Sequence, residues 1–382
     1  MKPIYLDYNA TTPIDPEVAE AMSPYLFERF GNPSSSHWYG LQTKKAVEKA
    51  RDQVADLINC SPDEVVFTSG GSESNNYAIK GAAFANRGKG NHLITSSIEH
   101  PAVIEVCKFL EEKDFQVTYL PVDRFGQVDP RALEKVITSS TVLISIMHAN
   151  NEVGTIQPIA EIATIARDHG IVFHTDAAQS VGKILTRVND LGVDLLTIAG
   201  HKLYGPKGIG ALYVRRGTQL EKLIHGADHE RGRRAGTENV LEIVGLGKAC
   251  EIAKRDLKKN MNHMQKMRDL LHHELKKEWH EIKLNGHPER RLPNTLSVSF
   301  RNIEANKLLA EIDSVAVSAG AACHSHSVKV SPVLQAMQVE LKYAMGTVRF
   351  STGKMTTAEE VTETAAIFVE TARRLWTEKQ KW

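Results

Sequence analysis

Lys202 and Lys207 lie in the stretch TIAGHKLYGPKGIGALYV, residues 197–214, between two apolar runs. A lysine amine becomes a nucleophile when burial or neighbouring cations remove its proton, and it can then bond covalently to a carbonyl carbon. Lys202 ends an apolar run beside His201, which suits that chemistry. The Tyr-Gly-Pro-Lys-Gly turn puts Lys207 in the more exposed position. Lys202 is therefore the better chemical candidate, with an ordinary surface lysine as the alternative.

Other polar residues follow apolar runs in the same way. Asp176 ends IVFHT, where a lone buried carboxylate is costly unless it meets a cation or a donor. Its partner is either a structural salt bridge or a protonated heteroaromatic nitrogen. Gln179 shares that face if a helical turn begins there. The turn GGSESNN, residues 70–76, follows a strand and opens a helix, with Ser72 as a cap. Free N–H groups at such a start bind phosphate, and an ordinary capped turn looks the same. The turn matches neither G-x-x-x-x-G-K-[ST] nor G-x-G-x-x-G, and GLGKAC at 245–250 lies in a helical window.

His100, in IEHPA, taken in isolation reads as a satisfied core histidine. Cys323 sits among small and polar residues in SAGAACHSHS, an accessible setting that a nucleophilic thiol needs. The His-Ser-His after it does not match zinc spacing. Arg349 in VRFSTG suits a two-bond fork to a substrate carboxylate, or a plain salt bridge.

These side chains need a frame that brings strand ends together. Apolar, β-branched runs recur at 65–70, 92–97, 116–121, 141–149, 171–178 and 195–200, with helical periodicity between most of them. That alternation predicts an α/β domain with a largely parallel, two-sided sheet, whose ligand sits at the strands' carboxyl ends. IGALYV, residues 209–214, follows after only a turn and predicts an antiparallel strand. From about residue 242 a long charged helix leads into a smaller α+β unit containing TLSVSF, ANKLLAEI, VAVSAG and VRFSTG.

Composition sets outer bounds. Lys plus Arg number 47 against 46 Asp plus Glu, which argues against nucleic acid or an anionic membrane as the main partner. No apolar run approaches a membrane span, and the start MKPIYLDYNATTP lacks a basic-then-apolar signal, so a cytoplasmic protein is expected. The four cysteines form no C-x-x-C pair and read as reduced thiols.

Taken together, YLDYNATTP, FGNPSS, FTSGGSESNN, EHPAV, NNEVG, HTDAAQS, GHKLYGPKGIGALYVR, RRAGTEN, AACHS and RFSTG stand in one order along the chain. In that order they resemble the class V aminotransferase family, specifically its cysteine desulfurase branch of the NifS and IscS kind. The resemblance implies the aspartate aminotransferase-like fold type I. It places a large domain over residues 13–250 and a small domain formed by 1–12 and 251–382. It implies pyridoxal 5'-phosphate held covalently by Lys202, with Asp176 on the ring nitrogen, Gln179 on the phenolic oxygen and His100 on the ring face. Asn151 would touch the cofactor region. Gly71, Ser72 and His201 would hold the phosphate, with Thr237 from the second subunit of a homodimer. Cys323 would take sulfur from L-cysteine as a persulfide, leaving alanine, while Arg349, Asn9 and Asn32 grip the substrate carboxylate.

Sulfur acceptors such as an iron–sulfur scaffold, a tRNA-thiolation enzyme or a DNA-phosphorothioation complex would follow. Two departures stand out. Ala199 replaces a serine of the family's S-x-H-K motif, and the loop AACHSHSVKVSP differs from the usual SACTS. AGAACHS also resembles selenocysteine lyase, the alternative activity.

Overall fold

The computed structural model describes residues 3–324 and 327–379, with the backbone alone described for 321–324, 327–329 and 378–379. Seven strands form the main sheet, in the spatial order Val65–Thr68, Gly210–Val214, Leu195–Ala199, Val172–Asp176, Thr141–Ser145, His92–Ser96, Gln116–Leu120. Gly210–Val214 runs antiparallel to both its neighbours, and the remaining pairs are parallel. All seven runs expected from the sequence are strands of this sheet.

Side chains that alternate along each strand feed two separate cores. Phe67, Ile94, Ile144, Phe173 and Ile198 join one cluster, while Val66, Leu93, Leu143, Leu195 and Leu212 join the other. Helices cover both faces, so a strand in the middle of the sheet has no polar side, which explains the near-continuous apolar runs. The helix Trp38–Ile58 closes the first face with Val47, Val54 and Ile58, and the helix Gly71–Ala85 closes the second with Ala78, Ile79 and Ala82.

A four-stranded antiparallel sheet follows, in the order Ser318–Ala319, Thr347–Ser351, Thr295–Phe300, Ile282–Asn285. Phe300 and Phe350 pack on Phe368 of the helix Ala358–Lys379. Truncating a fully buried aromatic of this kind costs about 3–5 kcal/mol. The chain start belongs to this unit. Ile4–Tyr5 pairs with Val315–Ala316, and Asp7 bridges to Ser351.

The helix Val240–Glu278 serves both units: Ile243, Leu246, Cys250 and Ala253 lie in the main-sheet core, and Met267, Leu271 and Leu275 in the other. The proposed division at residue 250 thus falls inside one continuous helix, which changes partners after Ala253. GLGKAC lies in its first turns. Between the small-sheet strands Ser318–Ala319 and Thr347–Ser351, Ala321–His324 pairs with Ser327–Val330 as an antiparallel hairpin.

Candidate active site

The polar strand ends converge on one cavity of about 380 Å³, within the usual range for a small-molecule site. Gly71, Ser72, His100, Asn151, Asp176, Gln179, His201, Lys202, Arg349 and Asn9 all line it.

The first wall is the turn after Val65–Thr68. Gly70 has φ of +147°, a conformation glycine alone adopts freely, and a Cβ at Gly210 would fall 2.8 Å from Gly70's backbone. Strand and turn can therefore lie against each other only with glycine at both places. The helix that starts at Gly71 has no side-chain cap, so its first N–H groups are left without a side-chain partner at the end of the cavity lined by Gly71 and Ser72. Ala199 presents only a methyl group here, 3.3 Å from where a Cβ on Gly71 would stand. His201 shares this end, its Nδ1 3.2 Å from Thr11 Oγ1, and burial with Lys202 and Lys207 brings its pKa down to about 4. The ring is therefore neutral at pH 7.

The floor is Asp176, 7% exposed. Asn75 Nδ2 donates to one carboxylate oxygen at 2.7 Å and the Ala178 N–H to the other at 2.9 Å. Among the described residues no lysine or arginine forms a salt bridge with it. The structural salt bridge is thus not the partner, and the floor remains open to a protonated ring nitrogen. Asn75 Oδ1 is buried without a partner beside it. Behind the floor, buried Glu99 accepts from Ser96 Oγ at 2.5 Å and the Met147 N–H at 3.0 Å, and burial pushes its pKa up to about 8. His100 caps the helix Pro101–Glu111 through Nδ1, which accepts from the Ala102 N–H at 3.1 Å. That bond puts the neutral ring's proton on Nε2. Desolvation lowers its pKa, so the neutral form prevails at pH 7.

Lys202 follows the strand Leu195–Ala199. Its Nζ donates to the backbone carbonyls of Asn9 at 2.5 Å and Ala10 at 2.7 Å, and burial followed by Arg349 brings its pKa down to about 8. Lys207 is exposed, as the turn predicted.

The opposite wall comes from the small sheet and the chain start. Arg349 donates to Asp7 Oδ1 at 2.7 Å, Ser318 Oγ at 2.8 Å and the Asn151 carbonyl at 3.2 Å, while its buried Nε has no partner. The salt-bridge reading therefore applies, and one donor of the guanidinium is left without a partner. Asn9 reaches the cavity, but its amide is already engaged with Asn151, Thr295, Lys183 and Asn294. It braces the site instead of offering a free grip.

Two expected residues lie elsewhere. Asn32 is exposed and turns its Oδ1 back to the Ser34 N–H, and Thr237 lines a separate groove with Arg234 and Ile209. The side chain of Cys323 lies outside the described structure; its backbone belongs to the hairpin that follows Ser318–Ala319. Sequence reasoning missed Asn75, Glu99, Asp7 and Lys183. Asn75 lay in the quoted GGSESNN, and Lys183 stands four residues after Gln179, while nothing in the sequence marks Asp7 or Glu99 as a partner.

The class-V aminotransferase model matches residues 4–363. A cysteine desulfurase IscS from Dictyoglomus turgidum is 50% identical over 99% of this chain and 98% of its own. A solved NifS-like protein superposes with a TM-score of 0.92 at 40% identity, covering 98% of this chain and 100% of its own. A structure described as SspA in complex with cysteine gives 0.83 at 39% identity, covering 93% and 100%. With near-complete coverage on both sides, the chain belongs to the class-V aminotransferase family, in its cysteine desulfurase branch.

Proposed function

We propose that this protein takes the sulfur from L-cysteine, leaves L-alanine and carries the sulfur as a persulfide on Cys323. One observation carries the reading: a half-buried lysine amine with its pKa lowered to about 8 shares a cavity with an uncapped helix start and a cation-free buried carboxylate.

That donor set fits pyridoxal phosphate. Gly71 and Ser72 at the helix start, with His201, suit the phosphate, and Asp176 suits a protonated ring nitrogen. Ala199 withholds one hydroxyl contact, which leaves the backbone N–H groups to carry more of the phosphate. Gln179 suits the phenolic oxygen, the flat His100 ring suits the cofactor's face, and Lys202 is the covalent anchor. When bound, pyridoxal phosphate supplies an electron sink for the substrate's α-carbon.

The chain's own groups do the rest. Lys202 moves the proton at the α-carbon, helped by its depressed pKa, and His100 assists proton transfer. Arg349 orients the substrate carboxylate with the donor it holds in reserve. The Cys323 thiolate attacks the substrate sulfur. The carbon–sulfur bond breaks as a sulfur–sulfur bond forms, and the hydrogens balance because the β-carbon ends as a methyl group.

The working unit in this reading is a homodimer. Phe27, Phe30 and Trp38 are 83%, 69% and 63% exposed on one segment, an apolar surface that a second copy would cover. Asn32 lies in that segment and Thr237 lines a groove of its own, and in this reading Thr237 serves the cavity of the second copy. Delivery to acceptors such as an iron–sulfur scaffold and a cytoplasmic setting rest on the family resemblance.

The test is direct. Protein supplied with pyridoxal phosphate is expected to show the visible absorption of the lysine-bound cofactor, and Lys202→Ala to lose it entirely. A colourless wild type would contradict the proposal.

A further inference from the structure

Lys183 occupies an expensive position for which the reaction above has no use. It is 4% exposed, and among the described residues its Nζ meets amide oxygens only, Gln179 Oε1 at 2.8 Å and Asn9 Oδ1 at 3.3 Å. The cations that act on it, Lys202 and Arg349, are of like sign. Asp15, which lines the small cavity behind it, is paired with Lys354, and Tyr8 and Tyr204 are the other titratable groups there. A buried ammonium without a carboxylate is costly, so the amine is held well below the usual lysine range, by burial first and then by Lys202 and Arg349. A neutral amine still donates.

What it donates to matters. The two ends of a glutamine amide are alike in size but opposite in role, one accepting and one donating. With Oε1 taken by Lys183, the donating Nε2 is left for the Asn9 carbonyl, at 3.0 Å, and for the cavity that Gln179 lines. The same Asn9 carbonyl receives Lys202 Nζ. One buried amine therefore braces both the glutamine and the strap on which the reactive lysine rests.

We propose that Lys183 is a positioning residue, which fixes the Gln179 amide with its N–H edge toward the cavity and holds Asn9 under Lys202. The inference rests on the pyridoxal phosphate reading: Gln179 Nε2 is then the donor to the ring's phenolic oxygen. A donor there favours the anionic oxygen, so the bound chromophore loses its proton at lower pH than it would without one.

The test uses the holoenzyme as Lys183→Met, Gln179→Met and the double variant. It reads the pH midpoint of the visible band and the dissociation constant for pyridoxal phosphate, with thermal unfolding as the check on folding. Losing one hydrogen bond to a charged group should raise the midpoint by about one pH unit and weaken cofactor binding about tenfold in each single variant. The double variant should go no further, because both changes break one link. A folded Lys183→Met that titrates like wild type, or a double variant whose shifts add, overturns the inference. If Lys183→Met fails to fold, Gln179→Met decides: an upward shift supports the link and an unchanged midpoint overturns it. A wild type without a visible band would instead remove the pyridoxal phosphate reading, and this inference with it.

Discussion

The two walls of the cavity are built differently. On the main-sheet wall the side chains are held by partners of the fold, Asp176 by Asn75 and Ala178, Glu99 by Ser96 and Met147, Gln179 by Lys183 and Asn9, while the uncapped helix start at Gly71 is left to a ligand. On the small-sheet wall Arg349 is neutralised by Asp7 yet keeps its Nε without a partner, and the next element is the two-stranded hairpin bearing Cys323. The first wall suits a group that stays in place. In the proposed reaction the second takes the substrate carboxylate and lets it go. Glu152 joins the two, accepting from Ser331 Oγ at 2.5 Å at the foot of the hairpin.

If that division is right, damage to one wall should leave the other's property intact. The largest effect is expected from Asp176→Ala, which strips the floor of its charge and leaves the Asn75 and Ala178 donors unpaired. Cofactor affinity should fall about hundredfold or more, as measured by fluorescence or absorbance titration. Next is the pH dependence of cofactor capture by apo-protein. Only the neutral Lys202 amine reacts, so below its pKa each unit of pH should slow capture about tenfold, with a plateau above about 8. A rate still climbing toward pH 10 would show an ordinary lysine and break the picture of a prepared wall. The smallest effect should come from Arg349→Lys, which removes the planar fork: KM for cysteine should rise about tenfold while the visible band stays as in wild type. Loss of the band in that variant would show that the walls are not separable.

Much of this site was legible in the sequence for a physical reason. A parallel strand buried on both faces is mostly apolar, so polar residues at and just after its carboxyl end mark the ligand edge of the sheet. Asp176, His100 and Lys202 were found that way, and Lys207 was set aside correctly because its turn leaves it in solvent.

What was not legible depends on contacts across the chain. Asp7 meets Arg349 over 342 residues, and Asn9 is used up by partners from three distant segments. Neither has a local pattern. The helix Val240–Glu278 is shared by the two cores, and apolar periodicity records a buried face and not which core buries it. Asn32 and Thr237 lie away from the cavity of the single chain.

The central claim is that sulfur leaves cysteine for Cys323. Holoenzyme incubated with L-cysteine and mapped by peptide mass spectrometry under non-reducing conditions tests it most directly. The account predicts one added sulfur atom on the Cys323 peptide, removed by a thiol reductant and absent from Cys323→Ala, whose alanine production should stop. Cys60 and Cys107, with burial pushing their thiols up to about 12, and fully buried Cys250, raised by burial too, should stay unmodified. Sulfur found on any of these three instead, or alanine formed at the wild-type rate by Cys323→Ala, would contradict it.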